Sequence, residues 1–270
     1  MVTVSMIKKA ISQISFPRDI ELWRVLNLAH EAGFEGVELK LNERGEFSIL
    51  SSKSEISDIR KKATSLGIDI CSVAGGLQWK YPLSSPITSI REAGIKAAKK
   101  AVEFASILGA KVVLIVPAVI TKDLLYDKAW KIALNSIVEI GKLAERLGVF
   151  VGVENVWNNF IFTPTEMLRF IKEANSMLRN EPISAYLDIG NIIPFGYPEH
   201  WITYLGNNIK AIHIKDMKLL GKTPVAVMPP HGDVDWLSVM KALRAVGYKG
   251  YLTIEVRLPK LGLKLSLIHI

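Results

Sequence analysis

Five times in 270 residues the chain closes a helical pattern with a glycine and runs straight into a short stretch of Val, Ile and Leu. The copies read EAGFEGVEL (31–39), SLGIDICSV (65–73), ILGAKVVLIV (107–116), RLGVFVGVE (146–154) and AVGYKGYLTIEV (245–256). Glycine suits the left-handed residue that ends a helix, and β-branched residues just after it favour extended chain. Helix starts between the copies are also readable: Thr163, Pro164 and Glu166 form a capping box with proline in the first turn, ahead of MLRFIKEA. Less regular strands near 7–14, 183–187 and 209–214 bring the count to eight. Strands alternating with helices pair in parallel through right-handed crossovers, and eight of them predict an α/β fold closed into a (β/α)8 TIM barrel. An open doubly wound sheet is the rival, but no G-x-G-x-x-G follows the first strand.

The length agrees, since such a barrel takes about 250 residues. No Gly/Ser-rich or Pro-rich linker and no block of like charge divides the sequence, so residues 1–270 are expected to form a single domain. Hydrophobic residues at 49% against 22% charged supply a large core. The longest apolar run, VVLIVPAVI (112–120), is too short for a bilayer and is broken by Pro117, which predicts a buried strand and no membrane partner. The N-terminal MVTVSMIKKA lacks the basic-then-apolar order of a signal peptide, and Cys71 has no second cysteine to pair with, so a cytoplasmic location is expected. Two glutamines only, Gln13 and Gln78, point to a thermophile, because amides are heat-labile.

A net charge of +8 raises the question of nucleic acid. The basic residues are spread at helical spacing, as in IRKKATSLG and IKAAKKAVEFA, which reads as solvated helix faces and no nucleic-acid partner. The same positive field favours a small anionic substrate such as a sugar phosphate.

In a barrel of this kind the active site lies at the C-terminal ends of the strands. Those ends carry charge: Glu38 on the second strand, Glu154 on the fifth, Asp188 on the sixth, His213 on the seventh and Glu255 on the eighth. The last four come from neighbouring strands and converge. Three carboxylates and an imidazole repel one another unless a cation lies between them, since unpaired buried charge is very costly. Glu154, Asp188, His213 and Glu255 are therefore the candidate ligands of one divalent metal ion, Mn2+, Zn2+, Co2+ or Mg2+, and ligand identity alone does not choose among these.

At these residues the chain resembles the xylose isomerase-like barrel superfamily of sugar and sugar-phosphate isomerases and epimerases. The likeness covers nearly the whole chain and is sharpest in FEGVEL, GLQWKYPL, VENVWNNF, DIGNIIPFGYPEHWI, AIHIKD, GDVDW and GYLTIEV. It is similar above all to L-ribulose- and L-xylulose-5-phosphate 3-epimerases, in which D-x-G-N replaces the D-x-G-H of ketohexose 3-epimerases; Asn191 stands at that point. The resemblance implies a xylose isomerase-like barrel and a metal-dependent 3-epimerisation of a ketose or ketose 5-phosphate through an enediolate. Glu154 and Glu255 would then be the acid/base pair as well as metal ligands. On the same resemblance Trp79 would cover the carbon face of the sugar or else pack at the rim, Lys215 would meet a phosphate or else pair with Asp216, and Asn158 and Asn191 would bond sugar hydroxyls or else make turns.

It also marks departures. His231, in PPHGDVDW, stands where related sequences often have a carboxylate, which changes the substrate contact expected there. Met6 resembles the family's usual start, leaving 1–5 as an extension, and 257–270 is too short and irregular for the usual final helix. That shortfall predicts exposed apolar surface, and so a homo-oligomer, dimer or tetramer. Three alternatives stay open on sequence. One is an aldose–ketose isomerase of the hydroxypyruvate or hexulose-phosphate type, and another is a non-catalytic sugar-binding barrel. The third, a DNA-repair endonuclease on this fold, needs further histidines that SVAGG, IVPAV and Asn191 do not provide.

Overall fold

A computed structural model describes residues 7–221 and 223–257. The expected extension at 1–5 and residues 258–270 of the expected C-terminal segment lie outside the described residues. The elements run β1 (Lys8–Ser12), α1 (Leu22–Glu31), β2 (Gly36–Lys40), α2 (Lys53–Ser65), β3 (Asp69–Ala74), α3 (Thr88–Leu108), β4 (Val112–Ile115), α4 (Tyr126–Leu147) and β5 (Phe150–Glu154). They continue with α5 (Pro164–Asn175), β6 (Ile183–Asp188), α6 (Pro198–Leu205), β7 (Ile209–Ile214), a hairpin of β8 (Asp216–Leu220) and β9 (Thr223–Val227), α7 (Trp236–Ala245) and β10 (Tyr251–Ile254).

Eight strands, β1 to β7 and β10, close into a parallel barrel in the order β1-β10-β7-β6-β5-β4-β3-β2. The sequence units account for it locally. Gly109 and Gly148 end α3 and α4 with φ of 82° and 65°, a region costly for any residue with a Cβ, and the next strand starts within three residues. Thr163 and Glu166 form the capping box expected, and Ser52 and Glu55 form a second at the start of α2. Apolar faces of the helices pack on the outward side chains of the strands, among them Val37, Val73, Val113, Val151 and Ile212.

The barrel interior is different. Where TIM barrels commonly stack branched apolar residues, the middle layer here holds Ser12, Glu38, Ser72, Tyr186 and His213, all buried. Glu38 lies in mid-strand rather than at the strand end expected from sequence, because β2 continues to Lys40. The hairpin after β7 was also not legible in advance. Its antiparallel register pairs Asp216 with Val227, and it brings Met217 and Ala226 to the barrel mouth.

Candidate metal centre and active site

Glu154 and Asp188 are the last residues of β5 and β6, His213 is the penultimate residue of β7, and Glu255 directly follows β10. One donor atom from each of the four lies within 4.8 Å of the other three. The four predicted ligands are thus brought together at the C-terminal mouth. Asp188 and His213 are fully buried, and Glu154 nearly so.

Each is aimed by a specific neighbour. Asn155 zips the ends of β5 and β6 together: its Nδ2 donates to the Asp188 carbonyl at 2.9 Å and its Oδ1 accepts from the Asp188 N–H at 2.8 Å. The Asn191 N–H donates to Asp188 Oδ1 at 2.9 Å, which turns Oδ2 toward the other ligands. His213 Nε2 is 2.9 Å from Glu38 Oε1. Glu38 is itself held from three further strands, by Ser12 Oγ (2.8 Å), Ser72 Oγ (2.9 Å) and Tyr186 OH (2.6 Å). Burial pushes the Glu38 carboxyl up, but His213, Tyr186 and Ser12 outweigh it and bring it down to about 2. Glu38 is therefore a carboxylate, an obligate acceptor, and His213 donates to it from Nε2.

That bond presents the other ring nitrogen to the ligand cluster. Among the described residues His213 Nδ1 has no hydrogen-bond partner, although it is buried. It faces Glu154 Oε1 at 3.6 Å, Glu255 Oε2 at 3.8 Å and Asp188 Oδ2 at 3.9 Å. Burial works against charge on the ring, yet the field of Glu38 and Glu255 holds its pKa well above the usual histidine value. A field that draws a proton to Nδ1 also draws a metal cation. Burial raises the carboxyl of Glu154 to about 7 and also raises that of Asp188, each with a contribution from nearby Glu255. One nitrogen and three oxygens, with an orphaned buried nitrogen among them, fit a divalent ion of the Mn2+, Zn2+, Co2+ or Mg2+ group.

Lys215 enters the same cluster. Its Nζ is 2.7 Å from Asp188 Oδ2 and 3.0 Å from Glu255 Oε2. The expected pairing with Asp216 does not occur. Asp216 points to the opposite side of the chain, where it accepts from the N–H groups of Gly232 (3.0 Å) and Val234 (3.2 Å) and from Trp236 Nε1 (3.0 Å). Burial disfavours the Lys215 charge, but Asp188, Glu255 and Glu154 more than compensate and raise its pKa.

A cavity of about 240 Å³ sits above the ligands, lined in part by Glu154, Glu255, Lys215, Lys40, Gly76 and Trp79. Trp79 is half exposed there. Asn191 lines a neighbouring cavity with Trp79, Trp157 and Lys215, but its Nδ2 is committed to the Asn155 carbonyl at 2.9 Å. Asn158 follows the turn alternative of its sequence reading. It is buried, its Nδ2 donates to the Ala118 carbonyl and its Oδ1 accepts from the Phe160 N–H, so its amide holds the loop after β5 together. His231 is exposed and lines neither mouth cavity. Sequence reasoning missed Asn155 and the roles of Ser12, Ser72 and Tyr186; inward alternation along the strands was the signal for the last three, whereas Asn155 lies just beyond β5.

A family model described as xylose isomerase-like TIM barrel matches residues 26–267. L-ribulose-5-phosphate 3-epimerase UlaE of Salmonella heidelberg (strain SL476) is 24% identical over 242 residues, covering 87% of this chain and 82% of that one. Among solved structures, D-psicose 3-epimerase with D-tagatose from Clostridium cellulolyticum H10 superposes with a TM-score of 0.77 at 19% identity, over 98% of this chain and 90% of that one. The IOLI protein with a binding zinc atom gives a TM-score of 0.78 at 18% identity, over 97% and 93%.

Proposed function

The chain belongs to the xylose isomerase-like TIM barrel family, and from that premise we propose that it is a metal-dependent epimerase that inverts C3 of a ketose or ketose 5-phosphate. The observation that carries the reading is His213 Nδ1, buried without a hydrogen bond and ringed by Glu154, Asp188 and Glu255 at 3.6 to 3.9 Å. The epimerases and the zinc-containing structure among its relatives support it.

A divalent ion held by these four residues supplies Lewis acidity, which acidifies the proton beside a ketone. The chain supplies the rest. Glu154 and Glu255 reach the cavity from the fifth and eighth barrel strands, so a sugar lying between them meets one carboxyl on each face. One takes the C3 proton, the other returns a proton to the opposite face, and inversion follows. Trp79 shields the carbon face from water, and Lys215 adds positive charge beside the developing enediolate.

The test is NMR of ketopentose 5-phosphates and free ketoses in D2O with enzyme and Mn2+. The reading expects deuterium at C3 together with the C3 epimer. Deuterium confined to C1 or C2 identifies an aldose–ketose isomerase instead, and no exchange into any sugar leaves a binding barrel.

A further inference from the structure

Four buried or nearly buried carboxylates, Glu38, Glu154, Asp188 and Glu255, stand within hydrogen-bond or ion-pair distance of His213 or its neighbours in one barrel mouth. A neutral imidazole ligand adds no charge, so a single dication leaves this cluster two charges negative. Buried excess charge of that size is costly, and it also opposes the build-up of an enediolate anion in the cavity above.

Lys215 is the only lysine or arginine among the described residues that is ion-paired to any of the four. Its position is built. The stem of Lys215 passes over Gly190, where a Cβ would lie 2.5 Å from Lys215 Cγ and 2.8 Å from the Lys215 carbonyl oxygen. Such approaches are not made by real Cβ atoms, so the glycine of the LDIGN stretch is the groove that lets this lysine reach Asp188. The side chain is only 17% exposed, unlike a surface lysine that samples many rotamers.

Resting on the metal reading above, we infer that Lys215 is a built-in counter-cation of the metal centre, sharing Asp188 and Glu255 with the ion. It offsets one charge whether or not the ion is bound. This has two opposite consequences. The ammonium supports the fold when the ion is absent, since removing one partner of a buried pair leaves its carboxylates uncompensated. It would also weaken attraction for the ion, because a fixed positive charge on the same two carboxylates repels a cation strongly even at an effective dielectric near 20.

The experiment compares wild type, Lys215→Met and Lys215→Arg, each stripped with chelator and titrated with Mn2+, reading the metal-free Tm and the Mn2+ Kd. Lys215→Met is expected to lower the metal-free Tm by about 5 °C or more and to tighten the Mn2+ Kd by about tenfold or more. Lys215→Arg keeps the charge and returns both readings toward wild type. A Lys215→Met chain with unchanged or weaker Mn2+ binding overturns the inference, as does Lys215→Met and Lys215→Arg failing alike, which assigns the lysine a packing role. Wild type that binds no Mn2+ overturns the metal reading and this inference with it, whereas wild-type binding with an unaltered Lys215→Met overturns this inference alone.

Discussion

His213 Nε2 donates to Glu38 Oε1 across 2.9 Å of barrel interior, and this bond decides which ring nitrogen faces Glu154, Asp188 and Glu255. Glu38 is ionised and accepts from four donors on four different strands. The tautomer and the tilt of the ring are thus set from below the site rather than within it.

Glu38→Gln keeps the shape of the side chain but brings an NH2 group that must displace or face away from one of those donors. Metal affinity is expected to fall by about 10- to 100-fold, in line with other partners of ligand histidines. Chelator competition with Mn2+ or Zn2+ measures it. An unchanged affinity would mean that Glu38 does not orient the ring.

Glu154→Gln and Glu255→Gln each remove one of the two carboxyls proposed for proton transfer, at nearly constant volume. At saturating Mn2+, kcat is expected to drop at least about a hundredfold in either variant. Initial-rate kinetics, with metal content checked on the same sample, decide it. A variant that keeps its metal and turns over near the wild-type rate excludes that glutamate from proton transfer.

The convergence of Glu154, Asp188, His213 and Glu255 was legible from sequence because strand ends in a barrel are local features: each follows an apolar run that periodicity alone locates. For Lys215 the sequence left phosphate contact and pairing with Asp216 both open, although the period-two rule disfavours the second, and its ion pairs with Asp188 and Glu255 were not anticipated. Successive residues of extended chain point to opposite sides, while Lys215 shares a side with His213 two residues back. Glu38 fell to the same rule, since Gly36, Glu38 and Lys40 alternate inward and only the end of β2 was misplaced. The β8–β9 hairpin was not legible: its two short strands pair only with each other, and one of them begins Thr-Pro, which reads as loop. Asn158 looked like a polar residue near a site, but which of its neighbours it bonds depends on how the loop after β5 returns to Ala118.

Asp216 supports the loop between the hairpin and α7 by accepting from Gly232, Val234 and Trp236 at once. Asp216→Ala leaves these three donors, and the Met217 N–H that also bonds Asp216 Oδ1 at 2.9 Å, without their acceptor. A loss of about 3 kcal/mol or more in unfolding free energy is expected, given 1–3 kcal/mol for each stranded buried donor. Urea unfolding followed by circular dichroism measures it, and a loss below about 1 kcal/mol would show that water replaces the carboxylate without cost.

Glu154, Asp188, His213 and Glu255 are proposed to hold one divalent ion required for the chemistry. Metal analysis of the purified, mildly dialysed chain tests it most directly, with epimerase activity measured on the same wild-type and His213→Ala samples. About one divalent ion per wild-type chain is expected and little in His213→Ala, with activity lost in parallel and regained by wild type alone after stripping and reloading. A metal-free wild type with full activity, or a His213→Ala variant that binds the ion as tightly as wild type, would contradict it.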